Sequence, residues 1–420
     1  MYVLHSAFGY FSLLCIAWLC GQRKKRLPWK TVAVASLLQV TLAGFLLQPA
    51  LRAPLFSAAN TLTQLLQETA LKANKSLLFG GVANASFIDQ FGSVIALQIA
   101  AVLIFVAALS RMLYHYGILP WFIHHLSRLM QRILGISSAE SVGIAANVFL
   151  GMTEAPLLIR PYVARLTESE LFCLMTGGMA TIAGTVMVIY ASMLSTTHPD
   201  IAGHLFVASL ISAPAAIAVA KLMIPESAAP ETATEHVRLP PKDTLNGLDA
   251  AARGASEGAL LVINVIAMLI AFIGLVALVN QIIAYFDGMF NGVGAGRWSL
   301  EAGCGWGLRP LVWLMGVSWV ETEAVGRLMG LKTILNEFVA YVQLADQMNG
   351  DTPLSERSFI ITTYALCGFA NFGSVAIMIG GIGGIAPERR SDLARLGIRS
   401  LIGGTFATML TGAVIGLYTA

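Results

Sequence analysis

Eight stretches of this chain run for about 20 residues or more without a single Asp, Glu, Lys or Arg: 1–22, 31–51, 90–110, 171–199, 201–220, 258–286, 358–387 and 400–420. An apolar helix of about 20 residues is the length that crosses a hydrocarbon core, where every backbone amide must be satisfied within the segment. The rest of the composition agrees. Hydrophobic residues make up 56% of the chain and charged residues only 12%, with a mean hydropathy of +0.74. The chain therefore reads as an all-α integral membrane protein with eight transmembrane helices.

Charge sets the orientation. Arg23, Lys24, Lys25, Arg26 and Lys30 follow the first span, and Arg389, Arg390, Arg395 and Arg399 precede the last. Keeping both clusters cytoplasmic places both termini outside and puts 18 of the 26 Lys/Arg on inner segments, the bias expected of a membrane protein. The positive charges follow the first apolar run and no small-residue cleavage pattern appears, so the N-terminal run reads as a retained helix. The net charge of +3 is spread over several loops, without the concentrated basic patch of a nucleic-acid binder.

Between the spans lie segments of a different kind. Leu62, Leu65 and Leu66 recur at helical spacing beside Gln64, Gln67 and Glu68, and 118–134 mixes Trp121, Phe122 and Leu126 with His124, His125, Arg128 and Arg132. Both patterns predict amphipathic interfacial helices. A re-entrant hairpin is expected near 138–162, opened by a capping box at Ser137 and Glu140, and a second capping box at Thr167 and Glu170 starts a broken helix near 170–195. The order repeats in the second half, with a Trp-rich amphipathic stretch, a hairpin near 322–348 and a broken helix near 358–387. Because the two hairpins enter from opposite faces, this is the pattern of an inverted repeat. The organisation is N-terminal scaffold helices and an interfacial helix over 1–89, a first repeat over 90–224, a cytoplasmic linker over 225–257 and a second repeat over 258–420.

Each hairpin carries a carboxylate at its centre: Glu154 in Gly151-Met152-Thr153-Glu154-Ala155-Pro156, and Glu337 in Leu335-Asn336-Glu337-Phe338-Val339-Ala340-Tyr341. A charge at such a depth is costly and normally marks a substrate or ion path. Neither has an obvious helix-spaced Arg or Lys partner, so a polar ligand or a cation is left to serve. Asn147 and Thr181 offer neutral oxygens near the first carboxylate. Asn371 and Ser374, three residues apart, share a face if the helix persists, and with Glu337 they suit a hydroxyl-rich ligand. Phe369 would add an apolar surface for a ring.

These segments resemble the concentrative nucleoside transporter family. The resemblance lies in Asn147-Val148-Phe149-Leu150-Gly151-Met152-Thr153-Glu154-Ala155-Pro156, in Gly177-Gly178 and Ala180-Thr181-Ile182-Ala183-Gly184, in Asn336-Glu337-Phe338-Val339-Ala340-Tyr341 and in Gly368-Phe369-Ala370-Asn371. It runs from about residue 90 to the end and fits the compact eight-span bacterial form. It implies a homotrimer in a bacterial inner membrane, whose transport domain moves across the bilayer in an elevator-like cycle, importing nucleosides with sodium or, in some members, protons. Carried onto this chain, Met152, Thr153 and Glu154 would face the nucleobase, Glu337, Asn371 and Ser374 the ribose hydroxyls, and Val186 and Phe369 would flank the ligand. Sodium, the coupling ion, would take the side chains of Asn147 and Thr181 and the carbonyls of Leu150 and Ile182. No enzymatic cofactor is implied.

Met152 departs from the family pattern, which often has Gln there. A thioether cannot donate an amide's hydrogen bonds, which opens the choice between purine and pyrimidine. Two other readings stay in view: a proton-coupled carrier of nucleosides or another polar solute, and an intramembrane enzyme using the paired carboxylates as acid and base. The latter lacks a convincing nucleophile or metal at the same depth.

Overall fold

The computed structural model describes residues 2–22, 27–73, 95–195, 197–233, 237, 239–240, 242–291 and 298–419. The cluster Arg23 to Arg26, and the part of the predicted interfacial segment beyond residue 73, lie outside them. The described chain is helical throughout: α1 (Tyr2–Leu19), α2 (Trp29–Leu46), α3 (Pro49–Ala73), α4 (Ile95–His115), α5 (Ile118–Leu134), α6 (Ser138–Asn147), α7 (Ala155–Leu158), α8 (Arg160–Val163), α9 (Glu168–Ala180), α10 (Gly184–Leu194), α11 (Ile201–Met223), α12 (Gly247–Asn291), α13 (Leu300–Leu314), α14 (Thr322–Ile334), α15 (Glu337–Asn349), α16 (Glu356–Leu366), α17 (Phe372–Ile385) and α18 (Arg390–Ile415).

Among the described residues, six helical segments are long and apolar enough to cross a membrane, Glu168–Leu194 among them as one span with a break inside it. A further span bends by 73° between α4 and α5. The turn is made at Gly117, whose φ of 81° is a left-handed conformation that glycine adopts without steric cost. Beyond it α5 runs off as the amphipathic helix its pattern predicts. The remaining apolar run, 358–387, is split into α16 and α17.

α11 sits at the centre, buried along nearly its whole length against α2, α9 and α18. α12 is the opposite case. It packs lengthwise on α4 and leaves Ile263, Ile270, Leu278 and Tyr285 exposed, an apolar surface suited to lipid or to protein. This helix begins at Gly247, inside the stretch assigned to the linker. The reason is local: Asn246 Oδ1 accepts from Asp249 N at 2.9 Å, Asp249 accepts from Leu245 N at 2.9 Å, and Arg253 pairs with Asp249 one turn on. A polar stretch with a cap and an i,i+4 ion pair nucleates a helix that hydropathy alone does not reveal.

Both predicted capping boxes are present, with reciprocal bonds between Ser137 and Glu140 and between Thr167 and Glu170. They fix the starts of α6 and α9 side by side. Lys221, from the end of α11, donates to Glu140 Oε1 and to Ser169 Oγ, tying three helix ends together by a pair in which both side chains are buried.

Candidate functional site

Two helical runs are interrupted where the backbone turns extended. α9 stops at Thr181 (φ −113°, ψ 164°) and resumes at Gly184; α16 stops at Cys367 and resumes beyond Asn371 (φ −145°, ψ 165°). The two breaks cross one another. A Cβ on Gly368 would lie 2.8 Å from the Met179 carbonyl oxygen and 3.0 Å from that of Ala180, so only glycine permits this backbone approach. Against the breaks lie the ends of two helix pairs: α6 with its turn Val148 to Glu154, and α14 with α15, joined through Leu335 and Asn336.

Helix starts at these interruptions bring the second group of residues together. Asn336 caps α15, accepting from Val339 N at 3.0 Å, which sets Glu337 in the first turn, where the helix dipole favours a negative charge. Asn371 caps α17, its Oδ1 accepting from Ser374 N at 2.7 Å, and this orients its Nδ2 to donate to Glu337 Oε2 at 3.1 Å. Glu337, Asn371 and Ser374 are thus one buried cluster. The spacing of Asn371 and Ser374 predicts a shared helical face, but what joins them is a cap, because Asn371 lies just outside the helix in extended backbone.

The other oxygen of Glu337 accepts from Tyr190 Oη at 2.7 Å. Tyr190 is fully buried, stacks on Tyr341 with ring centroids 4.6 Å apart, and comes from α10 in the first half of the chain. Tyr341 in turn donates to the Thr363 carbonyl at 2.8 Å. Nothing in the pattern around Tyr190 separates it from a packing residue. Lys332 is a second residue that periodicity misses: it is fully buried on α14, five positions before Glu337, and the turn between α14 and α15 takes it off any common helix face. Its depth in a hairpin was the available signal.

The first group lies at the turn after α6. Asn147, the last residue of α6, is 1% exposed and neither of its amide atoms has a protein hydrogen-bond partner. It lies against α9, where a Cβ on Gly177 would be in ordinary contact with Asn147 Nδ2 at 3.7 Å. Thr181 and Ile182 are buried at the break of α9, and Gly184 N donates to the Phe149 carbonyl at 3.2 Å, joining that break to the turn. A buried amide without a partner is costly. Together with a hydroxyl and the free carbonyls of a broken helix, it makes an oxygen-rich set that fits a hard monovalent cation.

Leu150, Thr153 and Glu154 line a cavity of about 580 Å³ together with Arg111, which pairs with Glu257 at 2.8 Å and with Asp243 of the linker at 3.3 Å. Glu154 Oε2 accepts from Gly151 N at 3.3 Å. Met152 does not line this cavity; its Cβ packs on Gly178, which also adjoins the sulfur of Met378. Thr153 packs on Gly381 of α17. Val186 and Phe369 are half-buried against the core. The two carboxylates therefore stand in different surroundings, Glu337 enclosed among protein donors and Glu154 beside open volume.

Three family models match in chain order: Na+ dependent nucleoside transporter N-terminus over 8–82, nucleoside recognition over 96–197, and Na+ dependent nucleoside transporter C-terminus over 204–416. The chain belongs to the concentrative nucleoside transporter family. An uncharacterized transporter of Haemophilus influenzae is 40% identical, with the alignment covering 100% of this chain and 98% of that one. Nucleoside permease NupC of Helicobacter pylori is 35% identical over 99% of this chain and 97% of its own length. Sodium/nucleoside cotransporter 1 of Rattus norvegicus is 36% identical, and the match spans 63% of that longer protein. Among solved structures, CNTnw in an inward-facing substrate-bound state is similar with a TM-score of 0.89 at 38% identity, covering 100% of this chain and 98% of that one. A CNTnw variant in an outward-facing state gives 0.92 at 38% identity, over 100% and 99%. The family is one of transporters, which sets the enzyme reading aside, and its all-α membrane fold is the fold described above.

Proposed function

We propose that this transporter imports nucleosides on the energy of a sodium gradient, with Asn147, Thr181 and the carbonyls of Leu150 and Ile182 as the ion site. The carrying observation is Asn147: its buried Oδ1 has no protein partner and lies beside a helix break, an acceptor that a cation would complete. The ribose hydroxyls would bind Glu337, Asn371 and Ser374, and the base would lie toward Thr153 and Glu154, with Met152, Val186 and Phe369 around the ring. Because Met152 packs on Gly178, its influence on base choice would come through the position of the turn.

The pairs α6 with α7 and α8, and α14 with α15, are read as re-entrant hairpins of an inverted repeat. Sodium ordering the first would raise nucleoside affinity, and the loaded domain would cross as a unit, elevator-like. Such coupling is reciprocal: each ligand raises the other's affinity by the same factor. The exposed face of α12 suits subunit contact in a homotrimer, and the compact chain suits a bacterial inner membrane.

The test is uptake of labelled uridine and adenosine into proteoliposomes under an inward sodium gradient, a proton gradient, or neither. Sodium-driven accumulation of unchanged nucleoside is expected. Accumulation that follows the proton gradient and ignores sodium would overturn the coupling, and none under any gradient would remove nucleosides as substrates.

A further inference from the structure

Lys332 is fully buried, and its ammonium makes no ion pair within 4 Å among the described residues. It donates to the carbonyl of Ala365 at 2.7 Å and to Thr408 Oγ1 at 2.9 Å. Ala365 lies in the last turn of α16, two residues before its C-cap Cys367, and Thr408 comes from α18. The ammonium is thus held by neutral oxygens at the C-terminal end of a half-helix, where unpaired carbonyls concentrate partial negative charge.

The same kind of place exists in the first half. Asn147 near the end of α6 faces the C-terminal end of α9, capped by Thr181, just as Lys332 near the end of α14 faces the end of α16. There the polar atoms of Asn147 have no protein partner. Here the chain supplies its own cation. The two places adjoin, because Gly368, next to Cys367, rests on the carbonyls of Met179 and Ala180 and also against Thr408, whose Cγ2 would lie 2.6 Å from a Cβ on Gly368.

We infer that Lys332 is a built-in cation that does for the second break what sodium is proposed to do for the first: it clamps α16 to α14 and α18, so that Phe369, Asn371 and Glu337 are held in place whether or not sodium is bound. This rests on the sodium site proposed for the first half. Lys332 is a positioning residue, since it reaches the ribose-side cluster through the backbone of the break. Two sources of order then act on one ligand, one permanent and one supplied by the ion, and only the base side of the site is switched by sodium. An ammonium is buried at low cost only where its donors are satisfied, and the two bonds that satisfy this one join α14 to α16 and α18.

Cys367 reports on it. Its thiol is fully buried at the break itself. In purified full-length protein with Cys15, Cys20, Cys173 and Cys304 replaced by Ser, the rate of Cys367 alkylation by N-ethylmaleimide measures local opening. The expected rate with Lys332 present is slow and unchanged by sodium. Lys332→Met and Lys332→Gln should raise it about tenfold with the melting temperature of the whole protein little changed, and sodium should not restore protection. Lys332→Arg, which keeps the charge, should restore it. In parallel, uridine binding should weaken about tenfold in the Met and Gln variants while the sodium concentration for half-saturation stays put. Alkylation of Lys332→Gln at the unsubstituted rate would overturn the inference, as would sodium alone protecting Cys367. If the Lys332 variants do not fold, Thr408→Val removes one acceptor: faster alkylation supports the clamp and an unchanged rate overturns it. A protein that protects Cys367 as expected but moves no nucleoside would refute the transport reading and leave the clamp standing.

Discussion

Tyr190 and Glu337 are 147 residues apart in the chain, yet the phenol donates to the carboxylate at 2.7 Å in a fully enclosed setting. The bond joins α10, beyond the break in the first half, to the first turn of α15 in the second, and it occupies one carboxylate oxygen while Asn371 occupies the other. Each oxygen retains acceptor capacity for one more donor, which is what a pair of ribose hydroxyls would use.

Replacing Tyr190 with Phe keeps the ring and its stacking on Tyr341 and removes only the donor. A hydrogen bond to a charged group is worth about 1.5–3 kcal/mol, so uridine affinity should fall by roughly tenfold or more. Glu337→Gln should cost more, because it removes the charge that both donors serve. Equilibrium binding of labelled uridine to the purified protein measures both. Wild-type affinity in Tyr190→Phe would show that this bond does not position the carboxylate.

How much of this was legible beforehand follows from what each residue announces locally. The spans, both capping boxes and the interrupted segments are written in short-range patterns: absence of charge, Ser and Thr three residues before Glu, and glycine runs. Glu154 and Glu337 declare themselves because a carboxylate in an apolar run is conspicuous. Tyr190 does not, since a tyrosine in a membrane helix is usually packing, and its role depends on a partner from the other half. The juxtaposition of Asn371 and Ser374 is visible as spacing, but a shared face required the helix to persist, and it is a cap that places i and i+3 together. The start of α12 was hidden because hydropathy is blind to a polar helical turn held by Asn246, Asp249 and Arg253.

The pair Lys221 and Glu140 predicts a stability effect distinct from any effect on binding. Both side chains are buried, so Lys221→Met alone leaves Glu140 without its cation and should cost about 3–5 kcal/mol. Adding Glu140→Gln neutralises the stranded charge and preserves the capping box with Ser137, so the double variant should recover most of the loss. Thermal melting in detergent compares the three proteins. Equal melting of the single and double variants would mean that the stranded charge is not the source of the instability.

Asn147→Ala tests the ion site. With the amide gone, the sodium concentration for half-maximal uptake should rise about tenfold, and by reciprocity the apparent uridine affinity at fixed low sodium should fall by a comparable factor. At saturating sodium the two proteins should converge. A drop in uridine affinity that sodium cannot overcome would place Asn147 in the nucleoside site or the fold instead of the ion site.

Thr153 and Gly381 give a prediction about how the turn after α6 is seated on α17. A Cβ on Gly381 would lie 2.8 Å from Thr153 Cγ2 and 3.4 Å from Thr153 Cβ, so Gly381→Ala must push the turn and with it the cavity wall formed by Thr153 and Glu154. Uridine affinity should fall about fivefold, close to 1 kcal/mol. Thr153→Ser deletes the offending methyl and keeps the hydroxyl, and alone it should bind uridine nearly as the unsubstituted protein does. Combined with Gly381→Ala it should return affinity to within about twofold, which is a coupling energy of the size found for residues in direct contact. If the two changes are simply additive, Gly381 acts through α17 itself and the methyl contact is incidental to the shape of the base side of the site.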